Sequence, residues 1–214
     1  MPQIPQLMNG VRLQHDITSD YAFYTSGVGS KVQIFSDFIG SGSLPLDSAV
    51  SSGSPGFVNH DTSSSGAPVF THRAEGNGVY RMQFASTNEA EYLSTYLGDE
   101  CCIPPTANAV FECRVKITGT LSADDRMVFG LASGRAASLD AIVDHVWFRM
   151  EGANNNILIE GDDGTSDNDD NDTTVDWVSG TYLTLKIDMA DTTDVKFFID
   201  GTMVKLAAGE KIDV

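Results

Sequence analysis

Positive charge is what this chain has least of. Against 30 Asp and Glu stand 13 Lys and Arg in 214 residues, a formal net charge of −17 and a sequence pI of about 4.3. Such a surface repels a phosphate backbone, which excludes nucleic acid as a partner and an anionic membrane surface with it. Long hydrophobic runs are missing too. Apolar residues make up 41% of the chain, yet no stretch approaches the roughly 18 consecutive apolar residues of a membrane span. The opening Met-Pro-Gln-Ile-Pro-Gln-Leu-Met-Asn-Gly has neither a basic flank nor an apolar centre, so no secretory signal is read there and synthesis in the cytoplasm is expected. Cysteine is scarce: with 3 in the chain full pairing is impossible, and adjacent Cys101 and Cys102 would form a strained disulfide. Cys113 alternates with Phe111, Val115 and Ile117, the placement of a small buried hydrophobe. All three are expected to be reduced, and a chain of this length buries about 70% of its unfolded surface without needing cross-links or metal.

Catalytic spacings are absent as well. No Glu-x-Asp-x-x-Glu lines up carboxylates on one strand face as glycoside hydrolysis requires, and no Gly-x-Ser-x-Gly forms a nucleophile elbow. The histidines, His15, His60, His72 and His145, make no His-Glu-x-x-His metal spacing. Asp144-His145 reads as an ordinary strand start rather than an orienting pair. Hydrolysis is not supported, and the chain reads as a non-enzyme. Helical periodicity is confined to residues 136–143, two turns at most, and no repeat of solenoid or propeller length stands out.

What the chain does have is β pattern. Asp194-Val-Lys-Phe-Phe-Ile-Asp-Gly-Thr-Met-Val204 writes a complete hairpin, since Asp200-Gly201 supplies the positive φ angles of a two-residue turn between alternating segments. Upstream, Leu183, Leu185, Ile187 and Met189 fall on one face of a strand, with Tyr182, Thr184, Lys186 and Asp188 on the other. Residues 79–84 and 111–117 alternate in the same way, and 127–132, 145–150 and 157–160 are shorter versions, separated by Ser/Gly-rich loops such as 41–54 and 61–66. The expected fold is all-β, an antiparallel sandwich in which each strand hides one face and wets the other.

Trp177, the Gly180-Thr-Tyr-Leu-Thr-Leu start and the Phe-Phe-Ile-Asp-Gly ending before Val204 together resemble the late strands of concanavalin A-like (laminin G-like) jelly-roll domains. The resemblance is to the versions carried on bacteriophage virions as capsid decoration proteins, head fibres or tail-associated modules. It continues through Phe35-Ser-Asp-Phe38, Gly78-Val-Tyr-Arg-Met82 and Val110-Phe-Glu-Cys-Arg-Val-Lys-Ile117, spanning residues 31 to 204. It is a pattern of strands and turns and speaks to fold before activity. It implies a concanavalin-like jelly roll over 31–214, preceded by an arm over 1–30, in a non-enzymatic virion protein of the capsid surface, made in the host cytoplasm. Its expected partners are the major capsid protein and further copies of itself, a trimer being the expected assembly. The alternative is a carbohydrate-binding adhesin of a fibre or tail.

Three groups of residues are candidate sites. The arm carries Leu7, Val11, Leu13, Tyr21, Phe23 and Tyr24 without periodicity, too apolar for a solvated tail; it either packs on its own domain or orders on a neighbouring subunit. Residues 160–172 hold 7 carboxylates and no cation and read as an acidic loop, either solvated or a weak Ca²⁺ site whose candidate ligands are Asp162, Asp163, Asp167 and Asp169. The run does not match the EF-hand spacing, and no other cofactor is expected. Trp147 alternates with His145 and Arg149 opposite Val146, Phe148 and Met150, and Trp177 flanks the acidic run; each is either packing or an aromatic platform for a sugar. Similar domains commonly add closing strands after the Asp-Gly hairpin, so the last edge is either trimmed or completed by another chain.

Overall fold

In a computed structural model of the chain, the alternating segments form strands and pair antiparallel. The structure describes the strand backbones within 6–35, residues 44 and 46, and 57–214 apart from 74–77, 86–88, 98–102, 105–107, 120, 153 and 208–209. The chain divides into two compact units, 1–101 and 102–214.

In the first unit, β1 (Gln6–Met8), β2 (Val11–His15), β3 (Ala22–Ser26) and β4 (Val32–Phe35) make a four-stranded antiparallel meander. The segment read as an arm therefore has strand backbone, and its sheet runs past residue 30. Next come β5 (Val58–Asp61), β6 (Val69–Arg73), β7 (Val79–Gln83) and β8 (Leu93–Tyr96), in which the β6–β7 hairpin is nested between the paired β5 and β8. Buried Asn59, 1% exposed, ties these pieces together. Its Nδ2 donates to the Leu44 carbonyl at 2.9 Å and to Tyr80 Oη at 2.7 Å, while its Oδ1 accepts from Thr95 Oγ1 at 2.9 Å. A buried amide satisfied at three points fixes its neighbours, since each lost partner would leave a buried polar atom unpaired.

The second unit is a two-sheet sandwich. Its strands are β9 (Val110–Lys116), β10 (Arg126–Ala132), β11 (His145–Glu151), β12 (Asn156–Asp162), β13 (Asp167–Asp176), β14 (Tyr182–Asp188), β15 (Lys196–Ile199) and β16 (Thr202–Met203). One sheet has the order β10-β11-β12-β13 and the other β16-β15-β14-β9. A four-stranded meander is thus inserted between β9 and β14, which pair from Tyr182 opposite Lys116 to Asp188 opposite Val110. The facing rows of both sheets form one core: Val146, Phe148, Met150, Ile157 and Ile159 from the first, Leu183, Leu185, Ile187, Phe197 and Ile199 from the second. Phe148 and Phe197 meet edge to face at 5.2 Å between the sheets, the geometry aromatic pairs prefer. The Asp200-Gly201 turn has φ of 49° and 78°, as its sequence requires.

After β16 the chain returns along the sandwich. The Val195 amide donates to Ile212 O at 2.8 Å and that of Val214 to Thr192 O at 3.0 Å, and Ile212 is 1% exposed within the core. It fits because β12 has a glycine there: a Cβ on Gly161 would stand 2.5 Å from Ile212 Cγ2. The helix expected within 136–143 is a single 3-10 turn, Leu139–Ala141, and among the described residues no helix is long and apolar enough to cross a membrane.

Candidate functional site

The acidic run read as a loop is instead a hairpin. The chain turns over residues 163–166, and β13 pairs with β12 from Asp167 opposite Asp162 to Asp176 opposite Asn156. Asp and Asn are poor strand formers, which is why the local reading gave a loop; pairing to the apolar β12 across a short turn overrides propensity. The register shifts along β12–β13 and the positive φ of Asp170 and Thr174, 54° and 60°, mark bulges. At the edge of the sheet, β13 exposes Asp167, Asp169, Asp170, Asp172 and Asp176, charges of the kind that deter edge-to-edge pairing.

On β11 the odd residues face away from the core, yet all of His145 to Met150 are buried. The His145 ring stacks on the Trp147 indole at 3.6 Å between centroids and 12° between planes. Trp147 Nε1 donates to Glu160 Oε2 at 2.6 Å, because register sets Trp147 directly opposite Glu160. Arg149 Nη1 lies 2.5 Å from Glu160 Oε1, and its Nη2 lies 2.8 Å from Glu151 Oε1 and pairs with Asp170. The bulge aims Asp170 at this guanidinium, a use bulges commonly serve. His145 Nδ1 donates to the Ile142 carbonyl at 2.7 Å, since a carbonyl only accepts; Nε2 is buried without a partner.

Glu160 is the one buried carboxylate among the described residues, at 1% exposure. Burial pushes its carboxyl above the ordinary range, against the pull of the Trp147 hydrogen bond and the Arg149 charge. Chemically the cluster is a clamp: one guanidinium gathers carboxylates from β11, β12 and β13 and fixes how these strands pair. Sequence reading placed His145, Trp147 and Arg149 on one face but missed Glu160 and Asp170, whose roles depend on strand register.

Trp147, 2% exposed, and Trp177, 6% exposed, offer no open ring face. Trp177 belongs to the apolar core and Trp147 is spent on His145 and Glu160, so the sugar-platform reading is corrected to packing for both. Of the candidate calcium ligands, Asp162 Oδ1 accepts from Gly164 N at 2.6 Å, and Asp163 Oδ1 from Thr165 N at 2.8 Å and Ser166 N at 2.6 Å. These bonds shape the turn, and the amides at Asp163 hold its carboxyl below the usual range. Asp167 and Asp169 instead line an open depression of about 500 Å³ with Lys211 and Asp213, where Asp169 is pushed up by desolvation and then by the Asp167 charge. The four aspartates do not converge, and among the described residues no three His, Cys, Asp or Glu side chains form a metal-binding group. Leu7, Val11, Leu13, Phe23 and Tyr24 lie on β1–β3, whose side chains fall outside the described residues; Tyr21, Cys101 and Cys102 lie outside them altogether. Half-buried Cys113 packs against the core, and desolvation pushes its thiol up to about 12, as expected of an inert structural cysteine.

No family model, curated protein or solved structure matches this chain.

Proposed function

We propose that the chain is a non-enzymatic structural protein of a bacteriophage particle, a decoration or cement protein bound to the major capsid protein and to further copies of itself. The reading rests on the concanavalin-like strand pattern together with one observation: the one buried carboxylate among the described residues is engaged within the sheet. Glu160, at 1% exposure, has the raised carboxyl that a general acid would need, yet it is held by Trp147 Nε1 at 2.6 Å and by Arg149 at 2.5 Å inside the sheet. A perturbed carboxylate in a cleft reads as reactive; one sealed in an ion-pair network reads as structural. In this reading the protein acts through its surfaces, with the strands over 6–35 as the attachment segment.

Purified protein incubated with heads lacking it should co-sediment in many copies per particle, and a particle reconstruction should place it on the capsid lattice. A few copies confined to a tail or fibre, with binding to glycans, would support an adhesin instead. Turnover of laminarin or an ester dye that disappears on substitution of one carboxylate would overturn the non-enzymatic reading.

A further inference from the structure

The outward face of the β16-β15-β14-β9 sheet carries a large share of the few cations in its unit. Of the nine Lys and Arg in residues 102–214, four stand here. Arg114 and Lys116 alternate with Cys113 and Val115, which pack on the core; Lys186 alternates with buried Leu185 and Ile187, and Lys196 precedes buried Phe197. They are set around aromatic rings, with the Arg114 guanidinium 4.0 Å and the Lys116 ammonium 4.6 Å from the centre of Tyr182, and the Lys186 ammonium 5.0 Å from that of Phe198. Cation–π contacts of this kind hold long side chains against a sheet, lowering the entropy lost when a partner arrives.

The carboxylates of this face have local roles. Asp188 lies 3.6 Å from Lys186, Asp194 lies 2.5 Å from Lys196, and Asp200 accepts from the Thr184 amide at 2.8 Å. Glu112 stands opposite Lys186 in the ladder. In the ladder Lys116 and Arg114 stand opposite Tyr182 and Thr184, not opposite a carboxylate, which makes the Arg114–Tyr182–Lys116 corner the most cationic part of the face. The β13 edge is its opposite, with five exposed aspartates. Like charges facing one another forbid that edge from pairing with its own copy, so a contact through it must bring unlike surfaces together.

We propose that the Arg114–Tyr182–Lys116 face is a docking surface for the acidic β13 edge of a second copy of this chain. The contact is head to tail, so it closes into a ring or continues as a filament according to its rotation. It deepens the self-association in the proposed function and rests on that reading only for the expectation of an oligomer. Copies each carrying −17 repel at long range while the docked surfaces attract at short range. The screening length is about 30 Å at 0.01 M salt, about 8 Å at 0.15 M and about 3 Å at 1 M. Association should accordingly be strongest at intermediate salt.

Sedimentation velocity and light scattering on the full chain test this without any capsid. Wild type should associate, with that salt optimum. Arg114→Glu/Lys116→Glu and Asp169→Lys/Asp176→Lys should each associate about tenfold or more weakly, with far-UV spectra unchanged. Mixed together they should bind one another, because each then offers what the other has lost. Unchanged self-association of the Arg114→Glu/Lys116→Glu variant, or variants that fail to bind one another when mixed, would overturn the proposal. A wild type monomeric at every salt concentration would overturn it too, and would leave the face to a different acidic partner. Loss of capsid binding with the oligomer intact would count against the proposed function alone.

Discussion

Glu160 and Arg149 show how much one pair can decide. The folded state holds the Glu160 carboxyl above its ordinary value of 4.5, chiefly by burial. A raised value means that the folded state prefers the protonated acid. The stability this group contributes is full below pH 4.5 and is lost as pH rises through the folded value. Glu160→Gln keeps an acceptor for Trp147 Nε1 and removes the titration. Urea midpoints followed by tryptophan fluorescence should therefore move in favour of the variant as pH is raised from 4.5 towards neutrality; a difference independent of pH would contradict this. Arg149→Met leaves Glu160 buried without its cation and should cost about 3–5 kcal/mol; Arg149→Met/Glu160→Leu should recover only part of this, because it also leaves the buried Trp147 Nε1 without its acceptor. Alternation along β11 made Trp147 and Arg149 neighbours legible from sequence. Their partner was not legible: Glu160 belongs to another strand, and a slip of one residue would have turned it into the core.

Among the elements, β14 to β16 were legible because their information is local: a period-2 pattern, then Asp200-Gly201 at φ of 49° and 78°. The β13 strand was illegible for the complementary reason, since aspartate and asparagine carry no strand signal and only pairing with β12 makes it one. The C-terminal segment lies between these cases. Ile212 is an isolated apolar residue in sequence, and its place in the core follows from the missing side chain at Gly161. Gly161→Ala puts a methyl 2.5 Å from Ile212 Cγ2 and 3.2 Å from the Asp213 carbonyl. Repacking of this kind should cost about 1–3 kcal/mol. It should also loosen the 2.8 Å and 3.0 Å bonds from the Val195 and Val214 amides. Hydrogen exchange should then speed up at these two amides while the β14 amides stay protected; equal acceleration throughout would mean that the tail is not a separable closure.

At the scale of the molecule, a single sandwich over 31–214 was the expectation, whereas the chain passes from one unit to the other at residues 101 and 102. Prolines at 104 and 105 are the nearest sequence mark of this passage, and proline by itself signals no more than the end of a strand. Both sheets of the sandwich, its core and the Arg149 clamp lie within 102–214. A segment of this length falls in the usual range for one domain, about 100–150 residues. Residues 102–214 expressed alone should therefore fold, with dispersed amide resonances and a cooperative urea transition. Folding should be slow, in the millisecond-to-second range, because β9 finds β14 only after the intervening meander has been placed. Phe148→Ala should lower the stability of this fragment by about 3–5 kcal/mol, the cost of an aromatic removed from a packed interior. The same substitution in the full chain should produce the same loss in the transition that the tryptophans report, both of them being in this unit. A fragment that stays unfolded, or a loss much larger in the full chain than in the fragment, would show that the sandwich draws its stability from residues before 102.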